Sequence, residues 1–255
     1  MSERLRNKVA LVTGGASGFG RQSAIRLAEN GALVCVTDIN SEDGRKTAES
    51  LGARGFFQHH DVTKVEGWKE SIGAVLNRYG KLDILVNSAG VDHPLDNIGE
   101  CDDSIWNFVM GVNLDGTFIG CRQAIPSIRR AGGGSIINLA SVLALRGDGA
   151  SLAYCASKGA VLALTKSIAS FCGQQRNGIR CNAICPGYML TGMLRKYLDS
   201  MDDREVQHAR LAAFHPLQRL GDADDVANLV VFLASDESRF VTGTEIAVDG
   251  GFTAI

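Results

Sequence analysis

Apolar positions along the 255-residue chain follow two alternating rhythms. Short continuous runs rich in Val, Ile and Leu read as strands buried on both faces, and longer stretches with apolar residues every three or four positions read as amphipathic helices. The runs predict strands at 9–13, 33–38, 55–60, 83–87, 135–139, 179–185 and 245–248. The longer period predicts helices over 19–30, 41–51, 64–79, 102–130, 153–173 and 223–234. Such alternation is the pattern of an α/β fold, a doubly wound parallel sheet with helices on both faces. The length fits a single domain, 1–255, with a substantial core.

The segment from Tyr188 to His215 breaks the rhythm. Met189, Leu190, Met193, Leu194, Tyr197, Leu198 and Met201 recur there at near-helical spacing among charged residues. A connection this long suits a substrate lid over 188–215, and the same stripe suits a helix facing the core; periodicity does not separate the two.

Ligands of such sheets bind beyond the carboxyl ends of the strands. Thr13-Gly14, Asp38, Asp61, Asn87-Ser88-Ala89-Gly90, Ser141 and Pro186-Gly187 all fall at those ends. The first strand runs into Gly14-Gly15-Ala16-Ser17-Gly18-Phe19-Gly20 and a helix follows. Glycines let the backbone approach a pyrophosphate, and the helix N-terminus offers unpaired N–H groups and positive dipole to the anion. A dinucleotide fits this Rossmann-like unit; a glycine-rich turn without ligand is the plainer alternative. The second strand ends in Asp38, eighteen residues after Gly20. A carboxylate there accepts hydrogen bonds from the adenosine ribose and repels the added phosphate of NADP, with no compensating cation at Ser17, Ile39 or Asn40. The expected cofactor is therefore NAD, although Asp38 also suits a simple turn cap with Asn40 and Ser41.

Tyr154 and Lys158 are four residues apart in a predicted helix, so both side chains leave one face. A free phenol has a pKa of about 10, and a neighbouring ammonium is expected to lower it toward the range where Tyr154 moves protons near neutral pH. The pair alone is a weak signal, because Tyr and Lys at this spacing are frequent on any helix.

Charge narrows the choice of partner. Lys plus Arg number 26 against 28 Asp plus Glu, a formal charge of −2, and no basic run offers a nucleic-acid footprint. No stretch is apolar enough for a membrane span and residues 1–7 lack the apolar core of a signal peptide, so the expected location is cytoplasmic, with small-molecule partners. Seven scattered cysteines lack paired CxxC spacing and read as reduced thiols; Cys181 and Cys185 share a strand face without further ligands, so no metal is expected.

Together, Thr13-Gly14 with Gly18 and Gly20, Asp61-Val62, Asn87-Ser88-Ala89-Gly90, Asn113 between Val112 and Leu114, Ser141, Tyr154 with Lys158, and Pro186-Gly187 occur in an order that resembles the short-chain dehydrogenase/reductase superfamily from about residue 7 to 252. The resemblance implies a proton-relay tetrad of Asn113, Ser141, Tyr154 and Lys158, with Ser141 on the substrate oxygen, Tyr154 as acid/base, Lys158 on the nicotinamide ribose and Asn113 positioning a water. It implies cofactor contacts from Gly14, Ser17, Gly18, Phe19, Gly20, Asp38, Asp61, Val62, Asn87, Ala89, Gly90, Tyr154, Lys158, Gly187, Met189 and Thr191. Val142, Leu143, Leu145, Tyr188, Met193, Leu194 and Tyr197 are expected around the reaction centre, and His93 lies near enough in sequence to touch substrate. Two departures stand out: Ser88 replaces the usual second Asn of Asn-Asn-Ala-Gly, and Phe19 replaces a smaller aliphatic residue. The implied activity is hydride transfer between NAD(H) and a secondary alcohol or ketone in an apolar substrate, with resemblance to hydroxysteroid and cyclic-alcohol dehydrogenases, in a homotetramer built through helices 102–130 and 153–173. A 3-oxoacyl thioester reductase, which would usually prefer NADPH, is opposed by Asp38; a non-catalytic NAD-binding sensor is opposed by the intact tetrad.

Overall fold

Continuous buried runs such as Val9-Ala10-Leu11-Val12-Thr13 need cover on both sides, and the sheet provides it. The computed structural model describes residues 3–199 and 201–255, without the side chains of Met193, Arg195, Lys196 and Tyr197. Strands β1 (Val9–Thr13), β2 (Leu33–Asp38), β3 (Gly55–His59), β4 (Ile84–Asn87), β5 (Gly134–Leu139), β6 (Ile179–Pro186) and β7 (Glu245–Val248) pair in parallel in the order β3-β2-β1-β4-β5-β6-β7. The order reverses between β1 and β4, which opens a crevice at their carboxyl ends.

Residue parity along each strand decides which layer a side chain joins. Val12, Val36, Val86 and Ile137 pack beneath α1 (Gly18–Glu29), α2 (Ser41–Ser50) and α9 (Ala223–Ala234). Leu11, Cys35, Leu85 and Ile136 face α3 (Val65–Tyr79), α5 (Gly116–Arg130) and α6 (Leu152–Gln174). The predicted elements thus form the predicted doubly wound sheet.

One helix departs from expectation. The stretch predicted as a single helix over 102–130 is α4 (Asp103–Met110), a π-helical turn at Gly111–Asp115, and α5. Such a turn adds a residue to the helix and redirects one side chain. That side chain is Asn113, which is fully buried. The irregular 188–215 segment carries α7 (Gly192–Asp199) and α8 (Arg204–Ala213). Its apolar stripe divides: Met189 and Leu198 are buried, whereas Leu190, Leu194 and Met201 are half-buried; no residue of α8, which follows the stripe, is buried.

Just beyond β3, His60 is buried against Trp68, the two rings edge to face at 4.4 Å. Trp68 Nε1 donates to the Val62 carbonyl at 2.9 Å, and His60 Nδ1 meets Thr37 Oγ1 at 3.2 Å. Burial lowers the His60 pKa to about 4, since a dry apolar site disfavours imidazolium. The unfolded chain therefore binds a proton that the folded chain refuses between the ordinary value near 6.5 and about 4. Stability is fully present above that window and falls with pH through it, by about 3 kcal/mol for a shift of this size. Urea melts from pH 7 to 4 are expected to show a shallower loss for His60→Gln than for the parent; parallel curves would show that His60 does not drive it.

Candidate active site

Two backbones meet at the crevice, and one hydroxyl joins them. Thr13, at the end of β1, is buried, and its Oγ1 accepts the N–H of Ser88 and of Ala89, each at 3.1 Å. The contact is so close that a Cβ on Gly14, whose φ is +65°, would lie 2.8 Å from Ala89 Cα. Gly20 is equally constrained, because its Cβ would strike the Gly14 carbonyl. Ser17 then precedes α1 without a side-chain cap, and the first turn of α1 carries no acidic residue. Its N–H groups and positive dipole are thus left for an anion.

The resulting cleft has a volume of about 350 Å3 and is lined by Gly14, Ser17, Gly18, Phe19 and Gly20 at one wall and by Asp38, Asp61 and Val62 at the next. Ala89, Gly90, Tyr154 and Lys158 line its far end, and Thr191 closes over Gly18. Asp38 presents both oxygens to backbone: Oδ2 accepts Ala16 N at 3.0 Å and Oδ1 accepts Asn40 N at 2.9 Å. The plainer capping reading of Asp38 therefore holds alongside its place in the cleft, while Asn40 itself caps α2 by accepting Asp43 N. Asp61 is locked by Thr63, whose N–H and hydroxyl both donate to Oδ1. Burial opposes its charge, but those bonds hold its pKa below the ordinary carboxylate value. A cradle built on Gly14, Gly18 and Gly20, a helix N-terminus without a cap and an anchored carboxylate fit a dinucleotide.

At the far end, Ser141 is buried after β5, and its Oγ accepts Leu143 N at 3.1 Å. Tyr154 and Lys158 lie one turn apart on α6, with Nζ 5.6 Å from the phenol ring centre. Lys158 is buried and donates to the Leu139 carbonyl at 2.8 Å. A Cβ on Gly90 would lie 3.3 Å from Lys158 Nζ and 3.4 Å from Asn113 Oδ1, so both side chains sit close against the bare backbone of this glycine.

The electrostatics differ from the expected lowering of the phenol by its ammonium. Burial pushes Tyr154 up to about 12, opposed by a hydrogen bond with Ser141, and burial pulls Lys158 down to about 8. Desolvation outweighs the pairing because Lys158 is buried and Tyr154 is half-buried beside it, and each disfavours its charged form there. Asn113 also has more local work than expected. Its Oδ1 accepts Val91 N at 2.8 Å, and its Nδ2 donates to the Val91 carbonyl and to Ser157 Oγ. Most of the amide is committed to holding the loop after β4, leaving one lone pair of Oδ1 for a water.

Several expected contacts lie elsewhere. The Asn87 side chain is buried in the core, donating to Asn138 Oδ1 at 2.9 Å, and does not line the cleft. Parity explains this, since Asn87 points into the α5 layer while its backbone leads to the cleft. Met189 is buried in the α9 layer and, with Gly187 close against Asp249, stands outside the cleft wall. Val142 is buried, Leu143 and Leu194 are half-buried, and Tyr188 packs among Phe214, His215 and Phe252; none of the four lines this cleft. The Met193 and Tyr197 side chains lie outside the described residues. His93 accepts Leu95 N within its own loop. Sequence reasoning missed His60, Val91, Phe108 and Val112 in the lining. Val112 adjoins Asn113 in the π-helical turn and was within reach; Phe108 lies on α4, half-exposed, and no motif marks it.

A family model described as Enoyl-(Acyl carrier protein) reductase matches residues 14–253. The chain is 37% identical over 259 residues to 2,5-dichloro-2,5-cyclohexadiene-1,4-diol dehydrogenase of Sphingobium indicum, covering 99% of each. It is 36% identical to the NADP-dependent (R)-specific alcohol dehydrogenase of Lentilactobacillus kefiri, covering 100% of each chain. It is 34% identical to cyclohexanol dehydrogenase of Acinetobacter sp. (strain SE19), covering 100% of this chain and 98% of the relative.

Gly14→Ala forces a side chain into the Thr13–Ala89 junction at a backbone angle that L-residues avoid. Titration by NADH fluorescence is expected to show affinity weakened by about tenfold or more, since a 1.4 kcal/mol distortion suffices. Unchanged affinity would remove the junction from the cofactor wall.

Proposed function

The chain belongs to the short-chain dehydrogenase/reductase superfamily, and from that premise we propose that it is an NAD-dependent dehydrogenase of secondary alcohols, reversible toward the ketone, acting on an apolar and preferably cyclic substrate. The observation that carries the reading is the presence of Tyr154 and Lys158 in the wall of a cleft that also bears Asp38, with Ser141, behind that wall, hydrogen-bonded to the Tyr154 phenol. Relatives named for cyclohexanol and a chlorinated cyclohexadienediol support the substrate class. Support for NAD rests on the Asp38 carboxylate beside exposed Ile39, against one relative named as NADP-dependent. The 3-oxoacyl thioester alternative is disfavoured by the same carboxylate; the description of the family model names an acyl-carrier substrate but a different reaction, reduction of an enoyl double bond.

In this reading Gly14, Gly18 and the first turn of α1 hold the pyrophosphate, Asp38 the adenosine ribose, and Lys158 the second ribose. When bound, the nicotinamide supplies or accepts the hydride. Ser141 holds the substrate oxygen. Tyr154 gives its proton to the carbonyl oxygen in reduction and takes the alcohol proton in oxidation. A phenol held near 12 keeps its proton at neutral pH, so the site stands ready for reduction, and oxidation is expected to quicken as pH rises. Segment 188–215 serves as a lid, with Thr191 and Gly192 at the cleft. Assembly as a homotetramer is supported by the exposed Trp106, Phe118 and Phe171 on α4, α5 and α6. A cytoplasmic location completes the reading; among the described residues no helix is long and apolar enough to cross a membrane.

Tyr154→Phe deletes the hydroxyl and keeps the ring, so kcat on an alcohol panel is expected to fall by about 10²–10⁴ with NADH affinity retained. Activity within tenfold of the parent, at about 1.4 kcal/mol, would remove Tyr154 from the chemistry. Cofactor choice gives a second test. Replacing Asp38 by Ser and Ile39 by Arg removes the repulsion and adds a phosphate partner, shifting the kcat/KM ratio toward NADP by about tenfold or more. A parent enzyme that already uses both cofactors equally would contradict the assignment of Asp38.

A further inference from the structure

Helix α6 carries Tyr154 and Lys158, yet its first turn is not capped by its own segment. Ser151 stands at the N-cap position and makes no capping bond through its side chain. The cap comes instead from Asp96, in the loop between β4 and α4. Its Oδ1 accepts Ala153 N at 2.7 Å, its Oδ2 accepts Tyr154 N at 2.9 Å, and its backbone carbonyl accepts Leu152 N at 2.6 Å. Three successive N–H groups at the start of the helix are thus satisfied by one residue more than fifty positions away in the chain.

Asp96 is only 1% exposed. A buried carboxylate is costly unless its oxygens are hydrogen-bonded, and here each oxygen has a backbone donor at the positive end of the α6 dipole. A Ser or Asp cap within the segment would serve the helix equally well. What a remote cap adds is a tie between two elements. The same loop begins at Ser88 and Ala89, held by Thr13, passes Gly90 in the cleft wall, and is gripped at Val91 by both ends of the Asn113 amide. One short stretch of backbone therefore lines the cleft and holds the turn bearing Tyr154.

We propose that Asp96 is a positioning residue for proton transfer: its carboxylate sets Tyr154 against Ser141 and couples that placement to the loop that lines the cleft. The inference rests on the reading of Tyr154 as the acid/base group. Misplacement of a reacting group by about 1 Å costs on the order of a hundredfold in rate, so a cap two bonds from the Tyr154 Cα has leverage on turnover that a distant helix cap lacks.

The test is a double-mutant cycle on the full chain, comparing Asp96→Ala, Asp96→Asn, Tyr154→Phe and the two combinations for kcat, KM, NADH affinity and melting temperature. Asp96→Ala is expected to lower kcat by about 30-fold or more with NADH affinity within about threefold, and Asp96→Asn, which keeps one acceptor oxygen and loses the other, to lower kcat by about fivefold. In the Tyr154→Phe background the residual rate is expected to fall by less than about threefold on adding either change, because the group being positioned is already gone. A merely structural role would lower both backgrounds by the same factor, and that result overturns the inference, as does an unaltered kcat in Asp96→Ala. If Asp96→Ala does not fold, the Asp96→Asn arm decides: a loss present in the parent and absent in the Tyr154→Phe background supports it, and any other pattern overturns it. A Tyr154→Phe enzyme of near-parent activity brings down this inference and the site reading together. An inactive Tyr154→Phe enzyme with indifferent Asp96 variants brings down this inference alone.

Discussion

The junction between β1 and β4 depends on the Thr13 hydroxyl. At the point where strand order reverses, the two chains leave the sheet in opposite senses, and their backbone groups lose their ladder partners. Thr13 Oγ1 takes two of the exposed N–H groups, Ser88 and Ala89, and so fixes the separation of the two exits. The absent Cβ of Gly14 makes that separation attainable. The width of the cleft follows from it: one wall is the turn into α1, the other is the loop after β4.

That second wall is held further along its length. Asn113 can grip Val91 only because the π-helical turn redirects its side chain into the interior. The same amide reaches Ser157 on α6, whose hydroxyl in turn bonds the Tyr154 carbonyl. Polar groups buried in this way are costly singly and specific when mutually satisfied. The end of the cleft that holds Tyr154 and Lys158 is therefore tied by a chain of hydrogen bonds from the loop after β4 through the π-helical turn to α6.

Burial at that end has an electrostatic consequence. Desolvation drives phenol and amine both toward their neutral forms, one up to about 12 and the other down to about 8. A spacing argument along a helix treats the pair as if in water, where the ammonium would dominate. In the folded protein much of the solvent that would stabilise either charge is displaced by packing, and that larger effect favours the protonated phenol at Tyr154.

Much of this protein was legible in the order of its residues. Strand and helix periods are local properties, so the seven strands, their alternation with helices and the glycine turn before α1 could be read directly, and Asp38, Ser141, Tyr154 and Lys158 stood out because strand ends and a helical spacing are also local. Asn87 illustrates where such reading stops, since its backbone belongs to the cleft and its side chain to the core. The π-helical turn at Gly111–Asp115, the capping of α6 by Asp96 and the reversal of the expected phenol shift have no local period at all. Each depends on which distant backbone groups are left without partners, and how much water is left around them, once the layers have packed; the tertiary structure alone decides that.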